Sequence, residues 1–213
     1  MKSSEPVGII YEYIKNKIIS KALFPGNRII EEEIADETGI SRTSIRTALL
    51  KLSYTGFIDI KRNHGAFVSK PTFDEVKMIY EARIGLENAA VRLSIGHYCE
   101  QVLRELEKNM SAQEQLLKNY SVANYIELNR EFHQILTGQT GNLYIEKYLN
   151  ELYNKIHIFI LFYDTSVDNK ESLDTHWTIL NGIKNNDFVS VEAAIYKDSS
   201  LGIKDIKDTI DNQ

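Results

Sequence analysis

The sequence predicts a mainly α-helical protein with two domains: helices and a β-hairpin in residues 1–70, and an antiparallel all-α bundle in residues 71–213. Apolar residues recur three or four positions apart through most of the 213 residues, which is the spacing of amphipathic helices. Alternating apolar and polar residues are concentrated in one short segment, 57–69. Ser69-Lys70-Pro71 is typical of a linker and separates the two domains.

The composition fits a globular protein with a sizeable core, since 43% of residues are hydrophobic and 26% are charged. Cys99 is the single cysteine, so an internal disulfide is excluded and a reducing compartment is expected. The longest strongly apolar stretch, residues 156–163, is far shorter than the roughly 20 residues of a membrane helix. We find no opening signal segment, and we therefore expect a cytoplasmic protein without a membrane partner.

The net charge of -5 is unevenly distributed. Residues 1–70 contain 11 Lys and Arg against 8 Asp and Glu, whereas the remainder contains 14 against 22. A basic first domain on an acidic body occurs in DNA-binding regulators, although the asymmetry alone is weak support.

Two helices are predicted before residue 40. The first carries an apolar stripe and ends before Pro25-Gly26. The second runs from about residue 31 to 38, with three acids in its first turn, where the helix dipole favours them. Gly39 stands at the expected position of a left-handed C-terminal cap. The residues of the first apolar stripe are Val7, Ile10, Ile14 and Ile18.

A third helix begins after Ser41, a good N-cap residue, and extends to about residue 54. Arg42 and Arg46 share one face, next to two hydroxyl side chains, Thr43 and Ser44. Two helices joined by a glycine-containing turn, with arginines and hydroxyls opening the second, are typical of a helix-turn-helix whose recognition helix enters the major groove. The buried stripe of this third helix is predicted to be Ile45, Ala48, Leu49 and Leu52.

A β-hairpin follows the third helix and would form a wing beside it. Residues 57–61 alternate, Arg62-Asn63-His64-Gly65 forms a turn, and residues 66–69 return. The alternative is that the arginines are only a solvated helix face and the hairpin is ordinary surface. The complete order of elements favours DNA binding instead.

Residues 8–69 resemble the DNA-binding domain of the GntR family of bacterial regulators. The resemblance implies a homodimer that reads a pseudo-palindromic operator, with DNA contacts from Arg42, Thr43, Ser44 and Arg46, and from His64 and Gly65 at the wing. One position departs from the family, because Glu32 stands where an arginine is common. A backbone contact is therefore expected to be missing. The matching residues are Pro25-Gly26, Glu31, Ile34-Ala35, Gly39, residues 41–46, Leu49, Leu52, Gly56-Phe57 and residues 65–68.

The second domain shows helical spacing throughout, and Thr72-Phe73-Asp74-Glu75 has the pattern of a capping box at its start. Short connections between the helices favour an antiparallel bundle. The predicted helices are 73–96, 100–119, 121–138, 142–163, 168–185 and 187–210.

Residues 79–87 resemble the start of the ligand-sensing FCD domain found in the FadR-type branch of the GntR family. Arg83 and Glu87 match that pattern. Without the resemblance they are an i,i+4 ion pair on a helix, worth a few tenths of a kcal/mol if exposed. We interpret them as structural.

The FCD resemblance implies a divalent-metal site at Asn129, His133, His176 and Asp198. The family commonly has Asp at the first of these positions and His at the last, so two ligands are substituted. The exchange preserves the charge of the set, and a mixed imidazole and oxygen site suits zinc, nickel or manganese. The alternative is that both histidines have ordinary hydrogen-bond partners and that the effector is held by side chains alone.

The predicted function is a DNA-binding transcriptional regulator whose effector, an organic or sugar acid, binds near His133 and His176. One alternative is a DNA-binding dimer whose helical domain only dimerises. The other is a metal-dependent hydrolase using these histidines and Asp198. We predict that the chain is not an enzyme, because the sequence contains no HExxH motif and no nucleophile paired with a base.

Overall fold

A computed structural model describes residues 4–163 and 170–210, in two compact units, Met1–Pro71 and Thr72–Gln213. The prediction of a mainly helical fold is confirmed. Among the described helices, we find none both long and apolar enough to cross a membrane.

The N-terminal unit contains three helices and a small antiparallel sheet. The helices are α1 (Ser4–Ile19), α2 (Glu31–Thr38) and α3 (Arg42–Tyr54), and the strands are β1 (Arg28–Ile29), β2 (Ile58–Lys61) and β3 (Gly65–Val68). The sheet order is β1-β3-β2, with Ile29 and Ile60 both opposite Ala66. The sequence analysis missed β1, because two residues are too short to show an alternating pattern.

Burial of the predicted apolar stripes holds α1 against α3. The Ser41 hydroxyl accepts a hydrogen bond from the backbone N–H of Ser44, so it caps α3 as expected. Gly39 has φ 68°, the left-handed conformation that ends α2. Residues of these stripes that are fully buried include Ile10, Ile14, Ile18, Ile45, Ala48 and Leu52.

The C-terminal unit contains six helices in the described residues: α4 (Phe73–Ser94), α5 (Glu100–Leu116), α6 (Val122–Thr137), α7 (Leu143–Tyr163), α8 (Lys170–Lys184) and α9 (Phe188–Ile210). Their ends lie within three residues of the prediction, and the predicted first residues of α8, 168–169, lie outside the described residues. Both halves of the Thr72 capping box are present.

The helices of this unit surround a buried polar centre. α4 packs against α7 and α9, α5 packs against α6 and α8, and α8 packs against α9. An apolar cluster that includes Leu106, Phe132 and Ile179 fills part of the interior. Side chains of Arg83, Glu87, His133, His176 and Asp198 are nevertheless at most 5% exposed, and these groups require internal partners.

Candidate functional site

The N-terminal end of α3 presents a polar surface. Arg42, Thr43 and Arg46 are exposed, and Ser44 is half-buried beside the cap residue Ser41. Long cations and hydroxyls on the first turns of a helix match the donors and acceptors of base edges and phosphates. The structure therefore places all four predicted α3 residues on one accessible end.

Each of these arginines is paired with an acid from α2. A guanidinium nitrogen of Arg42 lies 2.8 Å from a carboxylate oxygen of Glu32, and Arg46 lies 2.8 Å from Glu31. The pairs are solvent-exposed, so they contribute little to stability. Their effect is to place negative charge on the predicted DNA-binding surface, and the sequence analysis did not foresee the pairing.

The wing turn joins β2 to β3 and exposes His64 and Gly65. Gly65 has φ 96°, a conformation that side chains disfavour. A β-carbon built at Gly65 would lie 3.6 Å from Nε of Arg28, the first residue of β1. Arg28 is thus an exposed cation beside the wing, and sequence reasoning missed it because β1 was missed.

Three predicted metal ligands meet inside the C-terminal unit, on three different helices. His133 on α6, His176 on α8 and Asp198 on α9 each offer a ligand atom, and these atoms lie within 4.8 Å of one another. The Asp198 oxygens lie 3.4 Å from Nε2 of His133 and 3.3 Å from Nε2 of His176. The three residues are called the His-His-Asp trio below.

The orientation of His176 is set by α5. Its Nδ1 lies 2.9 Å from the side-chain oxygen of Gln113, and the Gln113 amide donates to Asn109 at 2.7 Å. Nδ1 is therefore the protonated nitrogen. Burial lowers the pKa of His176, which favours this neutral form. Among the described residues, no hydrogen-bond partner reaches its Nε2.

Arg83 extends from α4 into the same centre. Its Nε donates to Glu87 at 2.9 Å and its Nη2 donates to Asp198 at 2.9 Å. The same Nη2 lies 2.6 Å from Nε2 and 3.0 Å from Nδ1 of His133. Glu87 also accepts from the Tyr153 hydroxyl at 2.9 Å and lies 3.1 Å from Nδ1 of His133. The Arg83–Glu87 pair, interpreted from the sequence as structural, is buried and connected to the trio.

These charges keep both carboxylates ionised. Burial opposes ionisation of Glu87, but the adjacent Arg83 guanidinium and His133 lower its pKa to about 2. Burial likewise opposes ionisation of Asp198, and the pKa of that carboxyl is nevertheless held well below its usual range by His176, His133 and Arg83. The centre therefore contains two carboxylates and one fixed guanidinium.

Comparison with known proteins identifies both units. The model of "Bacterial regulatory proteins, gntR family" matches residues 7–68, and the FCD domain model matches residues 78–197, more than half of the chain. The chain belongs to the GntR family, in the branch with an FCD domain. The resemblance stated from the sequence is confirmed.

Several curated relatives of this GntR chain are transcriptional regulators. YdhC of Bacillus subtilis is 32% identical over 69% of this chain and 66% of its own length, and the repressor RspR of Escherichia coli is 28% identical over 60% and 56%. The match therefore spans less than two thirds of either relative. The gluconate operon transcriptional repressor of Bacillus subtilis is 26% identical over 99% of this chain and 84% of its own length.

Solved structures share the fold of both units. McbR/YncC of Escherichia coli superposes with a TM-score of 0.80, covering 96% of this chain and 98% of that one at 19% identity. Lar of Listeria monocytogenes has a TM-score of 0.66 at 20% identity, covering 94% and 96%. The family and relatives are regulators of transcription and not enzymes, so the hydrolase alternative is set aside.

The ligand atoms of the His-His-Asp trio suit a divalent cation. Nε2 of His176 is a buried nitrogen that has no hydrogen-bond partner in the part of the chain that the structure describes, and it lies 3.3 Å from a carboxylate oxygen of Asp198. Two acceptors this close repel each other unless a cation or a proton lies between them. Two imidazoles and one carboxylate are an ordinary ligand set for zinc, with a position left open.

The amide nitrogen of the predicted fourth ligand, Asn129, belongs to a chain of hydrogen bonds. Its amide nitrogen donates to the Tyr125 hydroxyl at 2.9 Å, Tyr125 donates to Ser172 at 3.1 Å, and Ser172 donates to Asp198 at 3.0 Å. Asn129 thus reaches the trio through two hydroxyl groups. The chain of hydrogen bonds orients Asp198, a role that the sequence analysis did not assign.

The cavity beside the FCD trio is small. It has a volume of about 30 Å³ and is lined by residues that include Arg83, Asn129, Asp198 and Asp205. This is the space of about one water molecule. Among the described residues this cavity is too small for an organic acid, so binding there would require side chains around the trio to move.

Proposed function

We propose that this chain is a transcriptional regulator that binds operator DNA through α3 and the wing, and that a small molecule in the FCD domain controls its operator affinity. The exposed cluster of arginines and hydroxyls that opens α3, beside the wing, carries the proposal. The chain acts in the cytoplasm, where bacterial DNA lies.

The DNA contacts divide by chemistry. Arg42 and Arg46 are long enough to reach guanine edges or phosphates in the major groove, and Thr43 and Ser44 offer hydroxyls to the phosphate backbone. His64 and Gly65 approach the backbone or minor groove at the wing, with Arg28 as an added cation. The α3 arginines specify sequence, while the wing contacts fix position.

The operator is read by a homodimer, with half-sites related by the two-fold axis of the protein. An exposed stripe on α4 supports this assembly. Met78 and Leu93 are 58% and 57% exposed, and the residues between them on this face are small: Ala82, Gly85 and Ala89. Small residues allow two helices to approach closely. Pairing the stripes of two chains would bury Met78 and Leu93 of both chains.

The effector site lies at the FCD trio. When bound there, a zinc, nickel or manganese ion would offer an open position to a carboxylate. We propose an organic or sugar acid as the effector, in keeping with the similarity of this chain to a repressor of a gluconate operon. His133, His176 and Asp198 would hold the metal, and Gln113 and the Asn129–Tyr125–Ser172 chain would orient two of them.

Effector binding changes operator affinity because the closed cavity has to open. Side chains on α4, α6, α8 and α9 line or form the centre, so opening it disturbs several helices at once. Such coupling is typically worth about 1–3 kcal/mol, or 5- to 150-fold in affinity.

Two measurements test the proposal. The first is binding of the purified protein to DNA from upstream of its own gene, at several salt concentrations; we expect specific binding that weakens steeply with salt. The second is elemental analysis of the wild type and of the double variant His133→Ala, His176→Ala. We expect about one metal ion per chain in the wild type and none in the variant.

The outcomes separate the candidates. Specific DNA binding together with metal supports the full proposal. DNA binding without metal, and without any response to small carboxylates, favours a helical domain that only dimerises. The small cavity of about 30 Å³ is the observation that favours this second candidate. Failure to bind any upstream DNA contradicts the regulatory function itself.

A further inference from the structure

The guanidinium of Arg83 lies at the point where three helices bring the trio together. We infer that Arg83 is a built-in cation of the FCD domain, which competes with a divalent ion for His133 and Asp198 and has to leave them before the ion binds. This inference rests on the metal site proposed above. It makes Arg83 a residue that sets metal affinity without ligating the metal.

The competition follows from the position of the guanidinium. Nη2 of Arg83 lies 2.6 Å from Nε2 and 3.0 Å from Nδ1 of His133, and Nδ1 also lies 3.1 Å from Glu87. A guanidinium nitrogen this close to the ring occupies the space that an ion bound to His133 and Asp198 would need. The Asp198 oxygen nearest to His133 is also taken by Nη2, at 2.9 Å.

Charge leads to the same conclusion. Arg83 is 3% exposed, and Glu87 and Asp198 compensate its burial. A divalent ion added beside the guanidinium would place positive charges within a few ångströms in a weakly screened interior, which is strongly unfavourable. Exchange is therefore favoured over coexistence.

The surroundings of Arg83 allow only part of it to move. Nε is held by Glu87, and Glu87 is itself held by the Tyr153 hydroxyl. Arg83 and Asp205 of α9 both line the cavity of about 30 Å³. A displaced guanidinium would move toward this cavity while Nε keeps its contact with Glu87.

This exchange has a direct covalent route toward the DNA-binding unit. Arg83 belongs to α4, and α4 begins at Phe73, two residues after the N-terminal unit ends at Pro71. Displacement of Arg83 is thus an event on the helix that continues the chain from the winged unit. A ligand that moves Arg83 acts on the connecting element itself.

The test is isothermal titration of the metal-stripped full-length protein with Zn²⁺ and with Ni²⁺. We expect Arg83→Met to bind one ion per chain with a Kd at least on the order of tenfold lower than the wild type. Because Met leaves Glu87 without a counterion, the double variant Arg83→Gln, Glu87→Gln is titrated as well, and the same tightening is expected. A gain of affinity is not produced by general loss of structure.

Two controls test whether the ion binds at the trio and whether Arg83 causes the change in Kd. Arg92→Met removes an exposed arginine from the same helix, paired at 3.8 Å with Glu192, and should leave the Kd unchanged. Adding His176→Ala to either Arg83 variant should abolish binding. Equal Kd values in wild type and both Arg83 variants would overturn the inference while keeping the metal site. No binding by any variant would overturn the metal site and the inference together, leaving DNA binding unaffected.

Discussion

At the scale of single residues, the proposed recognition surface contains two arginines, and each is paired with an acid of α2. Glu32 lies at the position where the family commonly has arginine, so the chain differs there by a full reversal of charge. The reversal reaches Arg42 directly, through the 2.8 Å contact. If Arg42 contacts the operator as proposed, recognition would depend on the Arg42–Glu32 pair and not on a lone cation.

The first prediction concerns Arg42→Ala. We expect operator affinity to fall by about tenfold and the salt dependence to decrease by about one unit of slope, as for loss of one base- or phosphate-contacting arginine. Fluorescence anisotropy with a labelled operator at several salt concentrations measures both. The matched control is Arg104→Ala, which removes a similarly exposed arginine from an exposed pair with Glu100. An equal loss in both variants would contradict the assignment of Arg42.

The second prediction concerns Glu32→Gln, which removes a negative charge from the DNA-facing side of α2. We expect affinity for a non-specific duplex to rise severalfold, because the carboxylate no longer repels phosphates and Arg42 no longer has a competing anion. Glu100→Gln is the control, since it changes the same charge in the C-terminal unit. Unchanged binding to non-specific DNA would show that Glu32 lies away from the duplex.

At the scale of secondary-structure elements, tight contacts between helices decide where the polar centre forms. α8 and α9 approach closely at Gly182, where an added β-carbon would lie 2.6 Å from Cγ2 of Val191 and 3.2 Å from the backbone oxygen of Asp187. These helices carry His176 and Asp198. Their separation therefore sets the distance between two members of the trio.

The third prediction is that Gly182→Ala destabilises the protein by about 1–3 kcal/mol, because a methyl group is forced into a packed core. Chemical denaturation followed by far-ultraviolet circular dichroism measures the change. Gly8→Ala on α1 is the control, since nothing lies within 4 Å of an added β-carbon there, and alanine favours a helix. A neutral Gly182→Ala would mean that α8 and α9 separate without cost.

Local sequence patterns predicted most helices and strands. The features that they missed depend on packing between residues far apart in the chain. The helices followed from apolar spacing and the α4 start followed from its capping box. The role of Arg83 could not be read locally, because an i,i+4 pair has the same sequence pattern whether it is exposed or buried. Its contact with Asp198 joins residues far apart in the chain and depends on how α4 packs against α9.

The trio itself was predicted through family resemblance, whereas the partners that orient it were not. Gln113 and Tyr153 belong to helices α5 and α7, and no spacing rule relates them to His176 or Glu87. Hydrogen bonds between side chains of different helices follow from the three-dimensional arrangement alone. For this reason the sequence predicted that three of these residues belong to one site, but it did not predict their hydrogen-bond partners.

At the scale of the whole molecule, the proposed function depends on the pairing of two chains. A single winged unit reads one half-site, and two units in fixed relation read an operator far more tightly. The exposed stripe on α4 lies on the helix that also carries Arg83. Dimer formation and sensing would then share one element.

The fourth prediction concerns Ala82→Glu, which places a charge in the middle of the α4 stripe. We expect the protein to change from dimer to monomer in sedimentation velocity, because burying an unpaired charge in an interface is costly. Operator affinity should fall in parallel. Ala193→Glu makes the same substitution at an exposed position of α9 and should leave the dimer intact. A dimeric Ala82→Glu protein would show that another surface joins the chains.

The two-residue strand β1 has a consequence for how this regulator tolerates change in length. β1 lies in the connection between α1 and α2, and it pairs with β3 at the base of the wing. That connection is therefore part of the sheet and not only a spacer. Inserting or deleting a residue next to Arg28 would shift the register between β1 and β3 and tilt the wing. DNA binding would then change although the sequence of α3 and of the wing turn stayed the same.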